Sequence, residues 1–136
     1  MRLPVVYIAG PFRGQTPWEQ ETNVRIAERI ALGVWRIGAV ALCPHTLTRF
    51  YQDELEDEVF LRGGIELLRR CDAVLLCPDW SHSVGTRAEI TVAMAEDIPV
   101  CLTLGELARA LREKGFHDTQ GLYGDQHGPD HAGKAD

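Results

Sequence analysis

The stretch CDAVLLCPDWSHSVGTRAEI, residues 71–90, decides the fold. Its apolar run, residues 73–77, predicts a buried strand, and Pro78 opens the polar loop that leaves this strand. Residues from about 84 to 96 predict a helix made mostly of small or apolar positions, with a carboxylate, Glu89, in its second turn. The helix is thus expected to pack against the sheet and to bring one acidic side chain with it.

Apolar runs of strand length alternate with stretches of helical period through the rest of the chain. Strands are predicted over 4–10, 39–44, 73–78 and 99–104, with a fifth near 116–123, and helices over 18–37, 57–70, 84–96 and 106–115. Continuous apolar strands alternating with helices indicate a parallel sheet covered on both faces. The expected fold is a single-domain three-layer α/β/α sandwich, flavodoxin-like or Rossmann-like, with strand order 2-1-3-4-5.

Two segments fall outside this alternation. The polar segment 46–56 carries Phe50 and Tyr51, and is interpreted either as a loop that closes over a pocket or as an exposed connection. Residues 117–136 are rich in Gly, His and Asp, which predicts a flexible or surface tail after a domain spanning 1–116.

Composition narrows the classes of partner. A chain of 136 residues with a net charge of -6 and no basic run is not expected to bind a nucleic-acid polymer. No apolar run approaches the ~18 residues of a membrane span, and the N-terminus lacks the pattern of a signal peptide, so we expect a cytoplasmic protein. The four cysteines form no C-x-x-C pair, which favours buried, reduced thiols over a zinc or redox site. No metal or cofactor is expected.

The exit of the first predicted strand reads YIAGPFRG, residues 7–14. Gly10, Pro11 and Gly14 predict a tight turn from which Arg13 projects. The backbone N–H groups of this turn are suited to hold an anion, although a plain glycine-punctuated turn fits the same residues. The spacing matches neither a dinucleotide-binding motif nor a Walker loop.

The start of the helix near residue 84 offers two interpretations of Glu89. Thr86-x-x-Glu89 matches a capping box, in which the glutamate bonds only the start of the helix. If Ser83 is the cap instead, Glu89 lies one turn further in, partly enclosed and kept ionised by the helix dipole. An oriented carboxylate of that kind is suited to attack the anomeric carbon of a sugar. Gly85 and Thr86 leave free N–H groups in the first turn, which makes a second anion site.

Taken together, these stretches resemble the nucleoside 2-deoxyribosyltransferase superfamily, and most closely its branch of 2'-deoxynucleoside 5'-phosphate N-hydrolases together with a poorly characterised group of bacterial and phage proteins. The resemblance spans residues 5 to about 102. It is carried by Y-x-x-G-x-x-R-G, by S-x-G-x-x-x-E and by the CPH of a second strand exit, here Tyr7, Gly10, Arg13, Gly14, Ser83, Gly85, Glu89 and His45.

The resemblance implies cleavage of the N-glycosidic bond of a (deoxy)nucleoside 5'-monophosphate, or transfer of a deoxyribosyl group between bases. Glu89 would be the nucleophile that forms a covalent glycosyl-enzyme, and Tyr7 would orient it. Arg13, Gly14 and Ser83 would hold the 5'-phosphate, and Phe12 and Trp80 are candidates for stacking on the base, although core packing fits Trp80 equally well. Further contacts to the substrate are expected from Gly10, Pro11, His45, Gly85 and Thr86. The resemblance also implies a homodimer or a higher homo-oligomer.

One position departs from the resembled hydrolases. They carry an aspartate, which protonates the leaving base, eight residues before the position of Asp72; here that residue is Gly64. Asp79 is the expected substitute by position, whereas Glu66 fits a solvated helix surface better. The alternative function is therefore a nucleotide-binding or sensor module that does not catalyse. The sequence leaves open which base and which sugar are bound.

Overall fold

The structure is a computed structural model that describes residues 2–116. Four strands and five helices alternate along the chain as β1 Val5–Ala9, α1 Pro17–Arg36, β2 Val40–Leu42, α2 Pro44–Leu47, α3 Asp57–Leu68, β3 Ala73–Leu76, α4 Val84–Ala95, β4 Val100–Cys101 and α5 Leu104–Glu113. A short 3-10 helix, Trp80–His82, lies between β3 and α4.

The four strands form one parallel sheet in the order β2-β1-β3-β4. Tyr7 of β1 is in register with Leu42 of β2 on one side and with Val74 of β3 on the other. The α/β class and the first four places of the predicted strand order are confirmed. The fifth predicted strand lies outside the described residues except for Phe116, which is not in a strand, and the predicted tail of 117–136 lies outside them altogether.

Each face of the sheet supports its own apolar core, and β1 contributes alternately to both. Val6 and Ile8 belong to the core that α1 and α5 cover, whereas Tyr7 and Ala9 belong to the core under α3 and α4. This alternation is the period of two that a strand imposes on its side chains. The three-layer sandwich follows from it, because both faces of a buried strand must be covered.

The long helices begin at the polar residues that the sequence offers as caps. The hydroxyl groups of Thr16, Ser83 and Thr103 accept hydrogen bonds from the backbone N–H groups three residues further on. The predicted bounds of these helices differ from the observed ones by about two residues, as frayed helix ends allow. The sequence did not predict α2, although Pro44 at its first position is the residue that favours such a start.

The connection between α2 and α3 carries exposed aromatic residues. Phe50 and Tyr51 are 77% and 56% exposed, and Arg49 contacts the Phe50 ring. Of the two interpretations of segment 46–56, the exposed connection fits these side chains.

Asp72 fixes the amino edge of the sheet. Its two carboxylate oxygens accept hydrogen bonds from the Arg2 guanidinium at 2.8 and 2.6 Å, and one also accepts the N–H of Val5 at 2.8 Å. Lys114 at the end of α5 donates to the Asp72 backbone carbonyl at 2.7 Å. Burial alone would raise the pKa of Asp72, but these hydrogen bonds and the two positive charges outweigh it and lower the pKa.

All four cysteines are free thiols, of which Cys71, Cys77 and Cys101 are buried and Cys43 is half-buried. Burial raises the pKa of Cys71 to about 11 and that of Cys77 to about 12, so these thiols stay protonated and act as small apolar side chains, as predicted. None of the helices within residues 2–116 is long and apolar enough to cross a membrane.

Candidate functional site

The candidate site lies at the carboxyl edge of the sheet, between β1 and β3. Strand order reverses between these two central strands, since β1 leads outward to β2 and β3 leads outward to β4. In parallel α/β sheets a ligand cleft forms at such a reversal. The loop after β1 carries residues 10–16, and the loop after β3 leads through the 3-10 helix into α4. The two motifs that the sequence singled out therefore meet at one edge.

Tyr7 and Glu89 form the buried centre of this edge. Tyr7 is 1% exposed and belongs to the core under α3 and α4, while Glu89, on α4, is half-buried. Burial raises the pKa of Glu89 to about 7, and a hydrogen bond from the Tyr7 hydroxyl acts in the opposite direction. Burial, the charge of Glu89 and the same hydrogen bond raise the pKa of Tyr7. The tyrosine thus keeps its proton and offers it to the glutamate.

The state of Glu89 differs from the expectation drawn from the helix dipole. Ser83 is the cap of α4, so Glu89 is the sixth residue of the helix and lies beyond the first turn, where the dipole acts most strongly. Burial therefore dominates and moves the pKa upward rather than down. Near neutral pH the carboxyl group is divided between its protonated and ionised forms.

Gly64 lies directly over this pair. A Cβ atom at residue 64 would stand 2.8 Å from the Tyr7 hydroxyl oxygen and 4.0 Å from Oε2 of Glu89. The buried glycine thus leaves the space that the tyrosine hydroxyl fills. The position at which the resembled hydrolases carry their acid is accordingly beside the predicted nucleophile, and here it bears no side chain.

The N-terminus of α4 is capped by the side chain of Ser83. The Ser83 hydroxyl accepts the Thr86 backbone N–H at 3.2 Å and the Thr86 hydroxyl at 2.9 Å. Thr86 is 1% exposed, and a Cβ at Gly85 would make only an ordinary contact, 3.8 Å, with Leu61. Of the two interpretations of this stretch, the serine cap is the one observed, and Glu89 is left free of a capping role.

Close packing accounts for two glycines in the loop after β1. A Cβ at Gly10 would stand 2.4 Å from the Cβ of Cys77, and a Cβ at Gly14 would stand 2.4 Å from the Cβ of Glu19. Real Cβ atoms do not approach so closely, so Cys77 at the exit of β3 and Glu19 in the first turn of α1 require glycine at these places. The predicted anion-holding role of the loop is not needed to explain them.

Arg13, the predicted phosphate ligand, is paired with a carboxylate. Its guanidinium donates to Asp57, the first residue of α3, and both side chains are exposed. Arg13 lines an open depression together with four carboxylates and one leucine, namely Asp53, Glu54, Leu55, Glu56 and Asp57. The surroundings of Arg13 are therefore negative rather than positive.

His45 holds the loop after β1 from the side of β2. This buried ring, 5% exposed, lies with its Nε2 2.8 Å from the Pro11 carbonyl oxygen, and it meets the Phe12 ring edge-on at 5.7 Å between centroids. Because a carbonyl only accepts, Nε2 carries the proton. Burial lowers the pKa of His45, which makes the neutral ring the favoured form. The side-chain amide of Asn23 donates to the Phe12 and Arg13 carbonyls at 3.3 and 3.1 Å.

Asp79 and Trp80, in the loop after β3, differ in their exposure to solvent. Asp79 is exposed and adopts a left-handed backbone conformation with φ of 62°, which an aspartate tolerates better than most residues. Trp80 is half-buried and packs on the core under α3 and α4. Core packing is thus observed for the tryptophan, while its predicted contact with a base remains a prediction.

The structure therefore brings together Tyr7, Gly64 and Glu89. Most of the other predicted residues lie in the loops after β1 and β3, whereas His45 lies in α2 and Gly85 and Thr86 lie in the first turn of α4. Sequence reasoning missed the contacts of Asp57 and Asn23. A signal existed for Asp57, since acidic residues are typical of a first helical turn, but nothing in the spacing connects it with Arg13. Asn23 carried no such signal, because one polar residue on a surface helix has no distinguishing pattern.

Comparison with known proteins gives a family and a fold. The model of a family described as Domain of unknown function (DUF7768) matches residues 4–103, and the chain belongs to that family. No curated protein sequence matches the chain.

Among solved structures, the chain is similar to a 2-deoxyribosyltransferase from the psychrotolerant bacterium Bacillus psychrosaccharolyticus. The TM-score is 0.53 at 20% identity, and the alignment covers 71% of this chain and 69% of that chain. At this identity the likeness establishes the α/β fold with its four-stranded parallel sheet.

Proposed function

We propose that this member of the DUF7768 family cleaves the N-glycosidic bond of a small nucleoside or nucleoside 5'-monophosphate, or moves its deoxyribosyl group to another base. The single observation that carries the proposal is the pair of buried Tyr7 and half-buried Glu89, which meet beside Gly64 at the reversal of strand order. The similar structure, a 2-deoxyribosyltransferase by its own description, supports the same class of chemistry.

In the proposed reaction, the ionised Glu89 carboxylate attacks the anomeric carbon of the sugar. The bond from that carbon to the base breaks, and its electron pair leaves with the base. Water or a second base then attacks the same carbon and releases the carboxylate. Tyr7 is proposed as the positioning residue, because its buried hydroxyl lies beside Glu89 and a hydrogen bond from it lowers the pKa of the carboxyl group.

The substrate is proposed to extend from Glu89 toward the loop after β1. Ser83 and the backbone of residues 10–14 would contact the sugar or a 5'-phosphate, and Phe12 or Trp80 would face the base. Thr86, predicted from the sequence as a further contact, is buried with its hydroxyl bonded to Ser83 and would act only through that serine. The pairing of Arg13 with Asp57 means that a phosphate must compete with a carboxylate for the guanidinium. Asp79, by its exposed position, would reach a bound substrate only from the solvent side.

We also propose a homodimer. α3 and α4 expose the apolar side chains Val59, Leu61, Val84 and Met94. Large apolar side chains exposed on two neighbouring helices favour association with another surface. Sedimentation of the purified chain would give a mass of twice 15.2 kDa if the proposal is right, and that of one chain if it is wrong.

The second candidate function is nucleotide binding without turnover. The observation in its favour is Gly64, which leaves the centre without the acid that normally assists departure of a base. General acid assistance is typically worth about 10²–10⁴-fold in rate. A binder would keep the cleft but has no use for a glutamate that a tyrosine orients.

Release of free base distinguishes the two functions. Natural ribo- and deoxyribonucleosides and their 5'-monophosphates are incubated with the protein and separated by chromatography. Glu89→Gln removes the nucleophile, and Glu113→Gln on the exposed surface of α5 is the matched control. We expect release that Glu89→Gln abolishes and Glu113→Gln leaves unchanged. Saturable binding with no release would instead support the binder, and release that survives Glu89→Gln would remove Glu89 from the mechanism.

A further inference from the structure

We propose that the preferred substrate is an N-glycoside whose base already carries a positive charge on the ring nitrogen bonded to the sugar, as a pyridinium ring does. The inference rests on the proposed function and specifies its substrate class. It follows from the surroundings of the Tyr7–Glu89 pair within residues 2–116, where a nucleophile lies beside a glycine at the position of the resembled hydrolases' acid.

The first step concerns residue 64. A side chain there would have to begin 2.8 Å from the Tyr7 hydroxyl oxygen, which is inside the contact distance of a carbon and an oxygen atom. The position is therefore not merely empty, since a side chain there would have to displace the hydroxyl of the buried tyrosine. A proton for the base has to come from elsewhere.

The second step concerns the neighbouring groups. Tyr7 is buried and directs its proton to the adjacent carboxylate, and both effects oppose its loss. His45 is a neutral ring whose only proton points at the Pro11 carbonyl. Asp79 lies in the loop after β3 and is exposed to solvent rather than enclosed with the pair. Glu89 cannot attack as a carboxylate and donate a proton in the same step.

The third step is the chemistry that such a centre supports. An uncharged base leaves as an anion unless it is protonated, which makes an acid necessary. A base bonded to the sugar through a cationic ring nitrogen leaves as a neutral molecule. The Glu89 oxygen forms a bond to the anomeric carbon, the carbon–nitrogen bond breaks, and its electron pair cancels the charge on the nitrogen. Water then replaces Glu89 and releases one proton to solvent.

The negative charge of the depression beside Arg13 favours a cationic ligand. The depression beside Arg13 holds four carboxylates against one guanidinium, and the Arg13–Asp57 pair neutralises one of them. Asp57 begins α3, the helix that carries Gly64 seven residues later, so the depression lies roughly 10 Å from the centre along that helix. A field of this sign raises the local concentration of cations and lowers that of phosphates.

The test compares charged with uncharged nucleosides on the same protein. Nicotinamide riboside and its 2'-deoxy analogue are the cationic probes, and the natural ribo- and deoxyribonucleosides are the uncharged ones. Release of base is measured for the unaltered chain, Glu89→Gln and Glu113→Gln, and the Glu89→Gln rate is subtracted as background. We expect kcat/KM to be at least about 100-fold higher for a cationic probe, which is the lower end of what a general acid contributes.

The outcomes separate this inference from the proposed function. Glu89-dependent release from an uncharged nucleoside, at a rate equal to or above that from both cationic probes, would overturn the inference and leave the proposed function standing. Absence of Glu89-dependent release from every compound would overturn both.

The pH profile is a second readout. With nicotinamide riboside, kcat/KM should rise with pH through about 7 and then stay level, because only the carboxylate of Glu89 is needed. A falling limb above that plateau would reveal a protonated group in the mechanism, and would contradict the inference.

Discussion

The Tyr7 hydroxyl fills the space in front of Gly64, at 2.8 Å from the point where a Cβ atom of that residue would stand. The contact joins the central strand β1 to helix α3, and it lies beside the carboxyl group of Glu89. The glycine makes room for the hydroxyl, and a hydrogen bond from that hydroxyl lowers the pKa of Glu89.

Gly64→Ala is therefore expected to destabilise the protein by about 1–3 kcal/mol, as overpacking of a core does. The same change in a Tyr7→Phe background should be neutral or stabilising, because the clashing oxygen is gone and alanine favours a helix by about 1 kcal/mol over glycine. Urea unfolding of the four proteins measures the coupling between the two sites. Additive effects would mean that the hydroxyl does not occupy this space.

The stability of the protein should depend on pH through Glu89. Its pKa is raised from 4.5 to about 7, so the native state favours the protonated form more than the unfolded state does. The contribution of Glu89 to the free energy of unfolding is fully present below about pH 4.5 and is lost as the pH rises through about 7. We expect the unaltered chain to lose stability relative to Glu89→Gln across this interval, as measured by thermal unfolding at several pH values. A constant difference would contradict the raised pKa.

Activity, unlike stability, should increase with pH, because the proposed nucleophile is the ionised form of Glu89. Glu89-dependent release of base is expected to increase as the pH rises through about 7. Tyr7→Phe removes the hydrogen bond that lowers the pKa of Glu89, so the rise should move to higher pH in this variant. A profile that does not move would show that the hydroxyl leaves the carboxyl group unaffected.

Asp72→Asn should cost about 1–3 kcal/mol, because charge-assisted hydrogen bonds to Arg2 are lost from a nearly buried carboxylate. The pKa of Asp72 is lowered, so its contribution is present above the ordinary pKa of an aspartate and is lost as the pH falls through the native value. The free energies of unfolding of the unaltered chain and of Asp72→Asn should accordingly become similar at low pH. Glu66→Gln, in an exposed pair with Arg70, is the control and should change stability by less than about 1 kcal/mol.

Ser83→Ala should cost about 1 kcal/mol, because the hydroxyl caps α4 through the Thr86 N–H. Ser83→Asp keeps an acceptor and should recover most of the loss, while Ser81→Ala in the preceding exposed turn should have little effect. Calorimetry gives the stabilities, and affinity for a nucleoside gives the second readout. Equal stability of the two alanine variants would mean that the cap contributes nothing.

The sequence by itself determined the sheet and its order. The apolar runs at 4–10, 39–44, 73–78 and 99–104 are too short for helices and too continuous for exposed strands, so burial in a parallel sheet was the one arrangement that satisfied them. The order of the four strands and the meeting of the two motif-bearing loops follow from that class of fold. Apolar runs of this kind can be recognised in the sequence because each one involves only a few consecutive residues.

Only the tertiary structure decided the state of the site. The pKa of Glu89 depends on how deeply α4 is packed, and the pairing of Arg13 with Asp57 joins residues 44 positions apart. The contact of Gly64 with Tyr7 likewise depends on how α3 lies across β1. Burial, charge pairing and close approach are properties of the assembled chain, because each is set by groups that are distant in sequence and adjacent only after folding.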